Sequence, residues 1–154
     1  VWGSAATGCS LALLSCLWPN FLNLFMVGFA SSFSAKLSDT FSSEIGKRFG
    51  KRTFLITTLK PVSPGTEGAI SIEGSIAGLL GSFIMTVFML NLSIISGLSV
   101  AFIVFLSGYL ATFLESYIGA VVQNKINWMT NELVNSIQTS IAAIISIFLY
   151  LNFV

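Results

Sequence analysis

Histidine is absent from this sequence, cysteine occurs twice and proline three times, and Asp, Glu, Lys and Arg together make up 8% of its 154 residues. Each shortage closes off a class of chemistry. With no histidine, and with cysteine only at Cys9 and Cys16, there is no ligand set for zinc or haem and no Cys/His nucleophile. The two cysteines stand seven apart in an apolar run. That spacing puts them on one helix face but too far apart to form a disulfide, so they read as small buried hydrophobes. The net charge is +1, and no basic stripe is interleaved with exposed aromatics, which argues against nucleic acid as a partner. Carboxylates, amides, hydroxyls, Lys and Arg remain, and that set suits Mg²⁺ and phosphate.

Apolar residues are abundant. They make up 55% of the chain, the mean hydropathy is +0.90, and such a composition describes an integral membrane protein. The charge it does have is gathered in one place. Lys36 to Gly74 holds six of the seven Lys and Arg and four of the six Asp and Glu.

About five helices are expected in a single membrane domain over 1–154. Val1 to Trp18 is small and apolar and stops at Pro19, with Asn20 as the expected N-cap of the next helix. That second helix, Phe21 to Phe49, begins apolar and turns polar from Ser31. Lys36, Asp39, Thr40, Ser43, Glu44 and Lys47 recur along it three or four apart. Gly50 to Gly74 is a Pro/Gly-punctuated loop, within which Thr53 to Thr58 is a short strand or a descending segment. Ser75 to Leu90, Leu98 to Val122 and Asn131 to Val154 are the remaining spans, each long enough to cross most of a hydrocarbon core about 30 Å thick. The chain opens on Val1 with no basic segment before its first apolar run, and is read as a processed or partial product.

The basic residues Lys47, Arg48, Lys51, Arg52 and Lys60 lie in the second-to-third connection and Lys125 in the fourth-to-fifth, so both connections are assigned to the cytoplasm or, in a plastid, the stroma. This threading brings Asp39, Glu44, Glu115, Asn131, Glu132 and Asn135 to one membrane face. A carboxylate inside a span costs on the order of 3 kcal/mol and needs a partner. One reading makes Asp39, Glu44 and Glu115 catalytic, with Asp39, Glu115 and Asn131 holding Mg²⁺. The bland reading pairs Lys36 with Asp39 or Thr40 and Glu44 with Lys47 or Arg48, and leaves Asn131 and Glu132 to cap the last helix. It does not account for Glu115, which has no base within a turn or two. Ser63 to Ser71 is either an ordinary Pro-Gly connector or a phosphate cradle in which Gly65, Thr66, Gly68 and Ser71 present a tight turn and a helix start, with Lys60 nearby. Asn131 and Asn135 are further phosphate candidates.

The runs KLSDTFSSEIGK, LITTLKPVSPGTEGAISIEGSIAGLLGS, ESYIGAVVQ and NELVN resemble the membrane family that includes animal transmembrane protein 19 and the plastid and cyanobacterial phytyl-phosphate kinases. The resemblance covers about Gly3 to Ile147, and its wording is closest to the plastid and cyanobacterial branch. It implies an all-α polytopic protein of a thylakoid, envelope or cyanobacterial membrane. The implied activity is phosphoryl transfer from a nucleoside triphosphate to an isoprenoid monophosphate. Asp39, Thr40, Glu44, Gly65, Thr66, Gly68, Ser71, Glu115, Ser116, Gln123, Asn131 and Asn135 match its patterned polar positions. It also implies further N-terminal helices before Val1, and many relatives carry Asp where Glu132 stands here. The rival expectation is a non-catalytic subunit whose greasy helices pack into a larger pigmented membrane complex such as a photosystem.

Overall fold

The computed structural model describes residues 2–123 and 128–154, and among them the chain folds into five α-helices and one small two-stranded sheet. The helices are α1 (Trp2–Leu17), α2 (Leu22–Phe49), α3 (Ile72–Asn91), α4 (Leu98–Ile118) and α5 (Asn131–Phe153); β1 (Thr53–Leu55) and β2 (Ala69–Ser71) lie between α2 and α3. Three of the helices, α3, α4 with its extension to Val122, and α5, are long and apolar enough to cross a membrane. The other two differ for visible reasons: α1 has 16 residues, and the second half of α2 carries five of the chain's 13 charged residues.

α2 is the central post and packs against all four other helices. Its inward face is built of small residues, with Ala30, Ser31, Ser34, Ala35 and Ser38 fully buried. Small side chains let backbones approach closely, which is how helices associate where lipid is as apolar as leucine. The partner faces are notched to match. A Cβ on Gly81 of α3 would lie 2.8 Å from the Leu37 carbonyl oxygen, and one on Gly108 of α4 would lie 2.8 Å from Ser34 Cβ. Hydroxyls tie these seams: Ser34 and Ser82 share a hydrogen bond of 2.8 Å, Ser82 also donates to the Phe105 carbonyl at 2.7 Å, and Thr112 donates to Ser38 at 2.8 Å. Large apolar side chains point outward instead, as Phe83, Phe88, Phe102, Ile144 and Phe148 do. The usual soluble pattern is inverted.

The expected helix boundaries shift in three places. Pro19 starts a 3₁₀ turn, Pro19–Phe21, so Asn20 sits inside that turn and makes no cap hydrogen bond to α2. α3 begins at Ile72, not Ser75, because the Ser71 hydroxyl accepts from the Gly74 N–H at 3.1 Å and caps the helix. Cys9 and Cys16 are exposed, not buried, since they lie on the outward face of α1.

The threading places one end of the bundle apart from the other. The Gly3 N–H donates to Glu132 at 3.1 Å and Thr7 bonds Thr139 at 2.9 Å, so α1 and α5 run parallel from the same end. That end also holds the C-termini of α2 and α4, the start of α3, and the β-hairpin. Lys125 and the side chain of Gln123 lie outside the described residues. Far from the hairpin, Val27, Ala30, Met89, Ile95, Val100, Ala101, Ile103 and Val104 form an apolar core.

Candidate functional site

The hairpin is shaped by its glycines and prolines. β1 pairs antiparallel with β2, Thr53 opposite Ser71 and Leu55 opposite Ala69. Between them, Ser63-Pro64-Gly65-Thr66 makes a turn closed by the Thr66 N–H to the Ser63 carbonyl at 3.2 Å. Gly65 has φ +88° there, the value that a Pro-Gly turn of this kind requires at its third residue. A second turn follows, with Gly68 at φ +76° and the Ala69 N–H donating to the Thr66 carbonyl at 3.0 Å. These two N–H groups are therefore spent inside the turns, and the Thr66 hydroxyl donates to Ser63 at 2.8 Å. Gly68 presses on α4: a Cβ there would fall 2.6 Å from the Ser116 carbonyl oxygen and 2.8 Å from Ala120 Cα. The contact brings the loop to the end of α4, where the helix widens into a π-type turn over Gly119–Gln123. Such turns recur at functional sites.

Beneath this roof lies a polar cleft of about 240 Å³. α2 contributes Lys36, Asp39, Ser42, Ser43, Gly46 and Lys47; α4 contributes Glu115 and Ser116; α5 contributes Asn131 and Asn135. The hairpin contributes Thr53 and the whole run from Pro64 to Ser71, including Glu67. Lys36 is the organising cation. Its Nζ donates to Asp39 Oδ2 at 2.9 Å and to Asn135 Oδ1 at 2.8 Å, joining α2 to α5. Glu115 meets the negative charge of Asp39 and Glu67 and the positive charge of Lys36.

Of the residues singled out in the sequence, Asp39, Glu115, Gly65, Thr66, Gly68, Ser71, Asn131 and Asn135 line this cleft. Ser71 does so while its hydroxyl caps α3. Glu44 and Lys60 do not line it: both are exposed, and Lys60 reaches the fold through its carbonyl, which accepts from the Leu55 N–H at 2.9 Å. The expected pairing of Lys36 with Asp39 is present, whereas Glu44 has no ion pair with Lys47 or Arg48 among the described residues. Thr130 caps α5 by accepting from the Leu133 N–H, the role expected of Asn131 and Glu132. Sequence reasoning passed over Lys36, Ser42, Ser43, Lys47 and Glu67 as cleft residues. Spacing had a signal for the α2 set: positions 36, 39, 43 and 46–47 fall on one helical face, and 40, 44 and 48 on another.

Among the described residues no three His, Cys, Asp or Glu side chains gather closely enough to hold a metal by themselves. Oxygen donors are nevertheless concentrated, with Asp39 and Glu115 beside the amides of Asn131 and Asn135. Such a set suits a hard cation that keeps water and phosphate oxygens in its coordination sphere.

A family model described as integral membrane protein DUF92 matches residues 1–143. An uncharacterized membrane protein of Synechocystis, sll0875, is 48% identical over 148 residues, covering 96% of this chain and 57% of that protein. Protein VTE6, chloroplastic, of Arabidopsis thaliana is 46% identical over 152 residues, covering 96% of this chain and 45% of that protein. An uncharacterized membrane protein of the archaeon Methanocaldococcus jannaschii, MJ0933, is 35% identical over 128 residues, 83% of this chain and 52% of its own length. The chain spans about half the length of the curated relatives it matches. No solved structure matches it.

Proposed function

The chain belongs to the DUF92 family of integral membrane proteins, and on that premise we propose that it transfers a phosphoryl group from a nucleoside triphosphate to an isoprenoid monophosphate such as phytyl phosphate. Its chloroplast and cyanobacterial relatives fit a plastid or cyanobacterial membrane. The four motifs that resemble phytyl-phosphate kinases support the reaction class.

One observation carries the reading: acids, amides and a lysine from three separate helices converge on a single cleft at the end of an otherwise greasy bundle. A prenyl phosphate suits that position, since its head enters the cleft while its tail stays in hydrocarbon. Phosphoryl transfer asks little covalent chemistry of a protein, so positioning and charge neutralisation dominate. Lys36 is placed to neutralise charge on the transferring group, and Asn135 to fix the direction of the Lys36 ammonium. Ser116, Asn131 and the turn from Pro64 to Gly68 form the walls that orient the acceptor phosphate. Mg²⁺, held by Asp39, Glu115 and Asn131 together with substrate oxygens, would supply charge screening between the two phosphates. An acceptor oxygen then attacks the terminal phosphorus of the triphosphate, the bond to its bridging oxygen breaks, and the nucleoside diphosphate leaves with that electron pair.

The test is conversion of phytyl phosphate to the diphosphate by the purified chain in nanodiscs. Turnover undiminished in Asp39→Ala and Glu115→Ala would sink the assignment. The alternative, a silent subunit of a pigmented complex, draws no support from the relatives.

A further inference from the structure

The cleft is small for the task just assigned to it. Sites that enclose a drug-sized molecule run to about 300–1,000 Å³, and the cleft has about 240 Å³. It suits phosphate groups and is tight for a nucleoside together with an acceptor phosphate. Its charge is wrong as well: Lys36 and Lys47 stand against Asp39, Glu67 and Glu115. A lining with two cations and three carboxylates does not gather a polyanion unaided.

A second hollow of about 470 Å³ adjoins it. Thr53 and Pro64 belong to both, so one wall separates the two spaces. Side chains alternate across a strand, and on β1 Thr53 borders both spaces while its neighbour Phe54 lines the hollow alone. Phe54, Pro61 and Val62 give the hollow an apolar floor, and Lys51 and Arg52 stand at its edge. Both cations are exposed, and neither has an ion pair among the described residues. Orientation in the membrane explains why basic residues lie on this face, but not why two of them border an apolar hollow that opens beside the cleft.

We infer that this hollow is the nucleoside triphosphate site, with the base against Phe54 and the phosphates passing Lys51 and Arg52 toward Thr53 and the cleft. The inference rests on the phosphotransfer reading and gives its donor a place. Aromatic faces stack on any base, and a guanidinium meets phosphate oxygens two at a time, so the chemistry recognised is that of a nucleoside polyphosphate.

The experiment is equilibrium binding of radiolabelled ATP, CTP, GTP and UTP, each with Mg²⁺, to the chain in nanodiscs, with inorganic tripolyphosphate as the comparison probe. Losing the two charges in Lys51→Gln/Arg52→Gln is expected to weaken the best-bound triphosphate by about tenfold or more. Phe54→Ala is expected to weaken the nucleotide while leaving tripolyphosphate unchanged, a difference that a misfolded hairpin would not produce. Unchanged nucleotide affinity in both variants, with phytyl-phosphate turnover retained, overturns the hollow and leaves the reaction standing. Failure of the unaltered chain to bind any of the four triphosphates overturns both. Equal loss of nucleotide and tripolyphosphate in Phe54→Ala also overturns the base site.

Discussion

The two ends of the bundle solve opposite problems with the same helices. Away from the hairpin, Val27, Ala30, Met89, Ile95 and Val104 close into an apolar core. At the hairpin end the same α2 and α4, now joined by the start of α5, hold Lys36, Asp39, Glu115 and Asn135 around an open cleft. The difference lies in what occupies the space between backbones. In the middle of the bundle Gly81 and Gly108 bring helices together until serines touch; at the hairpin end a loop is laid across the gap, and the gap stays open and polar. Packing and chemistry are thus separable along the axis of the molecule, and substitutions should separate them.

Gly108→Leu attacks the packing half most directly, because even a Cβ would press on Ser34. Overpacking of this kind costs about 3 kcal/mol or more, so loss of the folded, monodisperse protein in detergent is the expected outcome, read by size-exclusion after heating. Asp39→Asn and Glu115→Gln attack the other half. Each should lower phytyl-phosphate turnover by about 10² or more, the scale seen when a group that stabilises transition-state charge is removed; Glu115→Gln should keep its thermal stability, while Asp39→Asn, which takes the ion-pair partner from Lys36, should lose some. Gly68→Ala sits at the boundary: its positive φ and its contact with Ser116 and Ala120 mean that the loop must lift from α4. A displacement of about 1 Å can cost 10²-fold, and Gly65→Ala, which has open space around it, should cost less. Ser82→Ala removes hydroxyl links among α2, α3 and α4 and is expected to cost about 0.6–1.7 kcal/mol in a denaturation titration, with turnover retained. Glu44→Gln is the smallest perturbation, within about 0.5 kcal/mol for an exposed site. Lost turnover there would restore Glu44 to the site and undo the division drawn here.

Several parts of this arrangement are legible in the sequence alone. Leu98 and Asn131 begin helices where the apolar runs resume, Phe49 ends one before a glycine, and Pro61, Pro64, Gly65 and Gly68 mark the loop, because backbone preference is local. The convergence of Asp39, Glu115 and Asn131 follows from threading alone. Other features depend on distances that no local rule supplies. Lys36 and Asn135 are 99 residues apart and bond at 2.8 Å; nothing near either residue announces the other. The pressure of Gly68 on Ala120 is likewise long-range, and nothing beside either residue in the sequence announces it. Glu44 was misplaced by counting polar residues along α2 without dividing them between faces. Cys9 and Cys16 were misplaced by carrying over a soluble expectation, that small apolar residues are buried, to the face of α1 that points away from the bundle.

The ion pair between Lys36 and Asp39 has a consequence for how the protein is made. Asn135 is synthesised 99 residues after Lys36, so the lysine exists before the helix that carries its amide partner. Three residues apart on one helix, the lysine and the aspartate can neutralise each other at once. α2 can therefore form with that pair already in place, while its bond to α5 waits until the last helix arrives. The site would then be completed at the end of biogenesis, when Asn135 reaches a lysine already held in place.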